Sequence, residues 1–247
     1  MFSASPSILT RYGHFLFRYR NLVFPLLLLI LVLLFPPNPL AGNVQYDLWM
    51  NVAGILIIIC GQVMRAGVIG LAYIKRGGVN KKIHAEKLVK EGIFSHCRNP
   101  LYVGNLLILS GFLIIHNNPW VYIYGGSFFI ISYQAIVLAE ESFLRSRFGD
   151  EFDEYCKNVN RWVISFSGLG KTLGSMKFNW RRVIIKDYTT MLTWFLTVIL
   201  LLIREHIARY GINYSWSFIS QMLFPVVLAV LLSVVVRTLK KNGTLVS

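Results

Sequence analysis

The chain has 247 residues, with 25 Lys+Arg against 11 Asp+Glu for a formal net charge of +14; 55% of it is hydrophobic and only 15% charged. A soluble domain carries about a quarter charged residues. Here the apolar residues fall in long blocks separated by basic stretches, which excludes a soluble enzyme, a disordered tail and a secreted scaffold. Cys60, Cys97 and Cys156 are scattered, with no CxxC spacing, so neither a disulfide framework nor a metal site is indicated.

Six apolar segments are read in chain order: Leu22–Phe35, Leu48–Ile74, Leu101–His116, Trp120–Leu138, Thr189–Ile203 and Phe218–Val236. With no water in the bilayer core, each must be helical to satisfy its own backbone. The second and sixth are long enough to cross directly, whereas the first, third and fifth need flanking residues. Tyr12, Phe15, Phe17 and Tyr19 interleave with Arg11, Arg18 and Arg20 ahead of the first span, and read as an aromatic and basic collar at the interface. A cleaved signal peptide would need a tidy small-residue site after this span. Ala41–Gly42 follows Pro36-Pro37-Asn38-Pro39 instead, so the first helix is expected to stay.

The basic residues give an independent check. Of 25, 22 lie in the amino-terminal segment, the 75–100 stretch, the 139–187 stretch and the carboxyl tail. Six alternating spans place all four regions on one side, and the positive-inside rule makes that side cytoplasmic, both termini included. The fold class expected is an all-α polytopic transmembrane bundle of about six spans. The charge is thereby a topology signal and gives no support for nucleic-acid binding.

The 75–100 loop leads into the third span through Lys87-Leu88-Val89-Lys90-Glu91-Gly92-Ile93-Phe94-Ser95-His96-Cys97-Arg98-Asn99-Pro100-Leu101-Tyr102-Val103-Gly104. Gly92 permits a turn, and Pro100 can open a helix where its missing N–H costs nothing. Arg98 and Asn99 stand just ahead of that start, where free N–H groups and the helix dipole favour an anion such as a carboxylate. A positively charged loop capping a helix at headgroup level is the simpler alternative. His84 and His96 in this loop read as surface residues.

After the fourth span come Glu140-Glu141, Leu144, Phe148-Gly149, Phe152, Tyr155 and Arg161-Trp162. Two carboxylates at the end of an apolar run are expensive if they face lipid, so they are expected to face protein, cofactor or water. Adjacent helical positions point about 100° apart, so one can face inward while the other pairs outward. Arg65, inside the second span, needs a buried partner, and either glutamate can serve.

Together these pieces resemble the isoprenylcysteine carboxyl methyltransferases and their phospholipid methyltransferase relatives. Leu88-Val89-x-x-Gly92-x-Phe94-x-x-x-Arg98-Asn99-Pro100-x-Tyr102-x-Gly104 is similar to that family's LV-x-x-G-x-Y-x-x-x-R-H-P-x-Y-x-G, and the Glu140–Tyr155 run to its E-E-x-x-L-x-x-x-F-G-x-x-Y-x-x-Y. The resemblance implies an integral membrane enzyme that transfers a methyl group from S-adenosyl-L-methionine. It implies that Glu86, Lys87, Leu88, Val89, Phe94, Asn99, Pro100, Leu101, Tyr102 and Glu140 hold the cofactor, with Arg98 and Glu141 as the catalytic candidates. The family's His, Tyr and His are Glu86, Phe94 and Asn99 here. The arginine that meets a prenylcysteine substrate, four residues before the first glutamate, is Ile136. Its loss makes a neutral or cationic acceptor, such as a lipid amine or a thiol, as good a reading as a carboxylate.

The expected organisation is an interfacial segment and first span with the start of the second (1–60), a methyltransferase-like core (61–165), a basic interfacial linker (166–187) and an added transmembrane hairpin with the tail (188–247). The partner expected is a membrane lipid or other lipophilic acceptor, and the hairpin offers a packing or homo-oligomer contact. The setting is a bacterial inner membrane or the endoplasmic reticulum, with the active site facing the cytoplasm. A non-catalytic lipid-binding or assembly protein, and an NADPH-dependent sterol-type reductase, are the alternatives. No strand precedes a GxGxxG run, so no dinucleotide fold is expected, and the Gly168–Thr172 run lacks the first glycine of a phosphate loop.

Overall fold

The computed structural model describes residues 7–37, 44–71, 76–79 and 82–245. The chain forms an all-α bundle with α1 (Ile8–Leu34), α2 (Val44–Leu71), α3 (Pro100–His116), α4 (Pro119–Phe148), α5 (Asp150–Asn158), α6 (Leu169–Ser175), α7 (Trp180–Tyr210) and α8 (Ile212–Lys241). Among the described residues five helices, α1, α2, α4, α7 and α8, are long and apolar enough to cross a membrane. With 17 residues, α3 rises roughly 25 Å, just short of a hydrocarbon core of about 30 Å. The six expected apolar segments lie within these six long helices apart from Phe35, which caps α1, and residues 72–74, which like Ala41–Gly42 fall outside the described residues.

Helix limits differ from the sequence reading wherever amphipathic turns extend an apolar run. The expected collar is part of α1, which starts at Ile8 with the Ser7 side chain accepting from the Thr10 N–H. Leu16 and Phe17 are buried in the main core rather than set at an interface. Likewise α7 begins at Trp180, capped by Asn179, so the end of the expected linker is the first turns of a helix. Strands were not expected, yet β1 (Arg76–Val79) and β2 (Lys82–Ala85) form an antiparallel ribbon with Arg76 opposite Ala85 and Val79 opposite Lys82.

Two close helix pairs set the frame. Helices α2 and α3 approach backbone to backbone through Gly54 against Gly111 and Gly61 against Gly104. A methyl group on Gly61 would lie 2.6 Å from the Gly104 carbonyl oxygen, and one on Gly111 2.6 Å from that of Gly54. Small residues at seven-residue spacing on both helices are what permit this approach in a bilayer, where packing rather than water exclusion drives association. Helix α1 runs antiparallel to α4: Gly13 lies against Ala135 and Ala139, Phe24 packs edge-on against Phe128, Phe129 and Tyr133, and Leu31 meets Val121. Helix α7 packs on α2 and α3, while α8 packs on α7 and buries only Ser215.

Helix directions alternate, and the hydrogen bonds at the helix ends show it. The Asn179 N–H donates to Gly70 O, and Lys240 Nζ to Ile185 O, which brings the end of α2, the start of α7 and the end of α8 to one end of the bundle. At the other end Asn118 Nδ2 donates to Pro36 O, and Asn117 Nδ2 to Asp47. The described parts of the four basic regions therefore share one end.

Candidate active site

At that basic end the segment after β2 folds over the end of α4. Ala85 and Leu88 pack with Leu144, Phe152 and Tyr155, so α4, α5 and the loop share a small core of their own. A 3-10 turn, Gly92–Ser95, follows, entered at Gly92 with φ +62°, as a turn glycine requires. It buries Phe94, which with Val89, Ile93 and Leu101 packs on Val68 of α2. The Tyr155 hydroxyl donates to Phe94 O at 2.7 Å, tying α5 to the turn. Glu86 and Lys87 lie on the exposed rim.

Pro100 is the first residue of α3. Asn99 stands at the cap position, but its side chain does not cap the helix. Instead Asn99 Nδ2 donates to Arg161 O at 3.3 Å, and the Asn99 carbonyl accepts from the Tyr102 and Val103 N–H groups. One turn into α3, the Tyr102 hydroxyl donates to Glu140 Oε1 at 2.5 Å. The two motif segments, far apart in sequence, thus meet at this hydrogen bond.

The adjacent glutamates have different surroundings. Glu141 is buried and held bidentately by Arg161, at 2.9 Å from Nε and 2.6 Å from Nη2, with Arg98 Nη2 at 3.2 Å. Arg98 also donates to Cys156 O, and its buried Nε has no hydrogen-bond partner among the described residues. Glu141 therefore fastens the 156–161 segment to the end of α4. Glu140 is buried beside it and meets Tyr102. Arg20 of α1 donates from Nη1 to the same Tyr102 hydroxyl at 3.0 Å, so the chain Arg20–Tyr102–Glu140 joins three helices.

Sequence reasoning missed three participants. The partner of Arg65 is Asp187, which is fully buried on α7, and neither glutamate. Gln62 also donates to Asp187 at 2.7 Å, Trp194 to Gln62 at 2.9 Å, and Arg65 to Asn105. Asp187 lay at the end of what read as a linker, so nothing in the sequence marked it as a core residue. Arg20 was hidden in the expected collar, and Arg161, though named with the cluster after the fourth span, was given no partner there. His96, expected at the surface, is buried: its ring nitrogens lie 2.9 Å from Ser165 O and from Thr172 Oγ1, pinning the start of α6 to the loop. Burial also raises the Cys97 thiol pKa above its ordinary value. Ile136, at the position of the prenylcysteine enzymes' arginine, is sealed in the core with Leu16 and Phe17 and reaches no substrate. Among the described residues no cluster of His, Cys, Asp and Glu could hold a metal ion.

Fold and site define a polytopic membrane protein with a polar, carboxylate-centred site where the basic end of the bundle meets the apolar core. Residues 49–151, from α2 through the start of α5, match the model of the phospholipid methyltransferase family, in agreement with the resemblance carried by the two motifs. Such a match implies a methyltransferase acting on lipid-type substrates. No curated protein and no solved structure gives a significant match.

Proposed function

We propose that the protein transfers a methyl group from S-adenosylmethionine to a lipophilic or amphipathic acceptor at the cytoplasmic face of its membrane. The observation that carries this reading is the Tyr102–Glu140 hydrogen bond, which brings the loop-and-α3 motif and the α4 motif to one point within the matched segment. The residues present fit the cofactor. Glu140 is a buried carboxylate suited to an ammonium. The start of α3 is left uncapped by Asn99, and its Leu101 N–H and helix dipole suit a carboxylate. Val89, Phe94 and Leu101 form an apolar wall, with Glu86 and Lys87 on the rim.

When bound, the cofactor supplies an electrophilic methyl group on a sulfonium. The chain's own part is alignment and water exclusion, which govern a displacement of this kind. Tyr102 is oriented from both sides, by Arg20 and by Glu140. Arg98 and Arg161 hold Glu141, and so keep the 156–161 segment closed over the end of α4. Because Ile136 is sealed in the core, α4 offers no arginine to a prenylcysteine carboxylate, which favours a lipid amine as acceptor. The positive-inside rule, applied to the four sequence regions that hold 22 of the 25 Lys and Arg residues, favours the cytoplasmic face.

The reading is tested by incubating purified protein in lipid nanodiscs with methyl-labelled S-adenosylmethionine and a total lipid extract. Label in a lipid fraction is expected with the wild type and not with Glu140→Gln. Absence of label from every lipid, in protein of verified fold, would reject the reading.

A further inference from the structure

We propose that Arg20 recognises the acceptor through an oxyanion of its headgroup, and that this oxyanion is the phosphodiester of a membrane amine lipid; the assignment rests on the methyl-transfer reading above. Helix α1 lies outside the segment matched by the family model, so nothing in that match accounts for Arg20. Its neighbours on the helix, Arg11, His14 and Arg18, are exposed, whereas Arg20 is turned inward and half-buried.

The surroundings of Arg20 differ from those of Arg65, Arg98 and Arg161, described above, and of Arg209 near the end of α7. Arg65, Arg98, Arg161 and Arg209 each meet a carboxylate directly. Arg20 meets Glu140 only through the Tyr102 hydroxyl, and among the described residues that is its one hydrogen bond. Its guanidinium lies over the Phe17 ring at 4.6 Å and near the Tyr102 ring at 5.7 Å, so aromatic groups hold it while its remaining N–H donors have no acceptor among the described residues. A guanidinium carries five donors in a planar fork that matches phosphate and carboxylate oxygens bidentately. A cation at this depth is costly unless it is paired when the protein works.

Position selects the ligand. Arg20 stands level with the first turn of α3 and with Glu140, towards the basic end of α1, the end that the positive-inside reading sets among lipid headgroups. Helix α1 packs on α4 and α3 on α2, and the Arg20–Tyr102 hydrogen bond bridges α1 to α3. A phosphodiester held at Arg20 would leave the lipid's amine beside the Tyr102–Glu140 pair. The cation that α4 does not offer at Ile136 is then supplied by α1.

The test measures equilibrium binding of four probes to detergent-solubilised wild type, Arg20→Gln, Arg20→Lys and, as an exposed control, Arg18→Gln. The probes are dihexanoyl phosphatidylethanolamine, a long-chain alkylamine, a fatty acid and inorganic phosphate. Arg20→Gln is expected to weaken the phospholipid by about tenfold or more and the alkylamine by less than about twofold, with Arg20→Lys between wild type and Gln and Arg18→Gln unchanged. Equal weakening of phospholipid and alkylamine, no weakening of either, or no binding of the phospholipid by wild type would overturn the assignment. So would Arg20-dependent binding of inorganic phosphate or of the fatty acid at least as tight as that of the phospholipid. Titration of the same samples with S-adenosylhomocysteine reads the methyl-transfer proposal separately: failure of that titration with the Arg20-dependent phospholipid preference intact would count against methyl transfer and support Arg20 as a lipid-phosphate residue.

Discussion

The two ends of the bundle both bury carboxylates, but they use them differently. At the end away from the basic loops, Asp47 takes Arg209 and Asn117, and Glu205 takes Arg209 and Asn51 at 2.8 and 2.6 Å. Each of these contacts joins helix ends or neighbouring turns, and together they tie α2, α3 and α7. At the basic end, Glu141 is similarly occupied by two arginines, whereas its neighbour Glu140 accepts from the Tyr102 hydroxyl, which also takes Arg20. On the proposed reading, the difference separates carboxylates that hold the fold from one placed to meet a ligand. A buried carboxylate gripped by two arginines does structural work, and one that meets a motif tyrosine where the two motif segments join is where binding is expected.

The sharpest way to break this comparison is to neutralise one glutamate at a time. Glu140→Gln is expected to weaken S-adenosylhomocysteine by about 100-fold or more, on the scale of about 2–5 kcal/mol for a lost buried charge contact, with the thermal midpoint nearly unchanged. Glu141→Gln is expected to do the reverse. It leaves Arg98 without its carboxylate and costs about 3 kcal/mol of stability, read by chemical or thermal unfolding in detergent. Asp187→Ala, which strands Arg65 inside the bundle, is expected to cost a similar amount, whereas Asn51→Ala at the far end should cost only about 1 kcal/mol.

A smaller effect probes the frame rather than the charges. Gly61→Val forces α2 away from α3 and is expected to cost about 1–3 kcal/mol, with weaker cofactor binding as a consequence of displacing Tyr102. An unchanged unfolding midpoint would show that the close approach is not needed.

The smallest effect is one of pH. Burial raises the Cys97 thiol above its ordinary value of 9.0, so the folded state favours the protonated thiol. Its stabilising contribution is fully present below pH 9.0 and declines as pH rises through and beyond that value, because the unfolded chain then releases the proton more readily. Maleimide labelling of Cys97 in the folded protein should accordingly be slow at neutral pH and accelerate in the alkaline range. Rapid labelling at pH 7 would mean that the 96–99 segment opens.

The helices were legible because each long apolar run must be helical in lipid, and the charge alternation followed from six of them. Their limits were less legible: α1 and α7 extend over aromatic and charged turns whose composition reads as interface, though Leu16, Phe17 and Asp187 prove to be core. Of the site, the sequence carried what lies within the two motifs, including Tyr102 and Glu140. Arg20, Arg161 and Asp187 were not legible, since a charge becomes a partner only through the helix packed opposite it. The departure at Ile136 was visible in the sequence, but that Arg20 of α1 stands beside the same site was not.

The central claim is that the loop-and-α3 motif and the α4 motif meet at Glu140 to form a single site for S-adenosylmethionine. Calorimetric titration of detergent-purified protein with S-adenosylhomocysteine, beside NADPH, tests it most directly. The account predicts saturable micromolar binding of S-adenosylhomocysteine alone, lost in Glu140→Gln while helical content and unfolding midpoint are kept. Binding of NADPH instead, or equal affinity of the wild type and Glu140→Gln for S-adenosylhomocysteine, would contradict it.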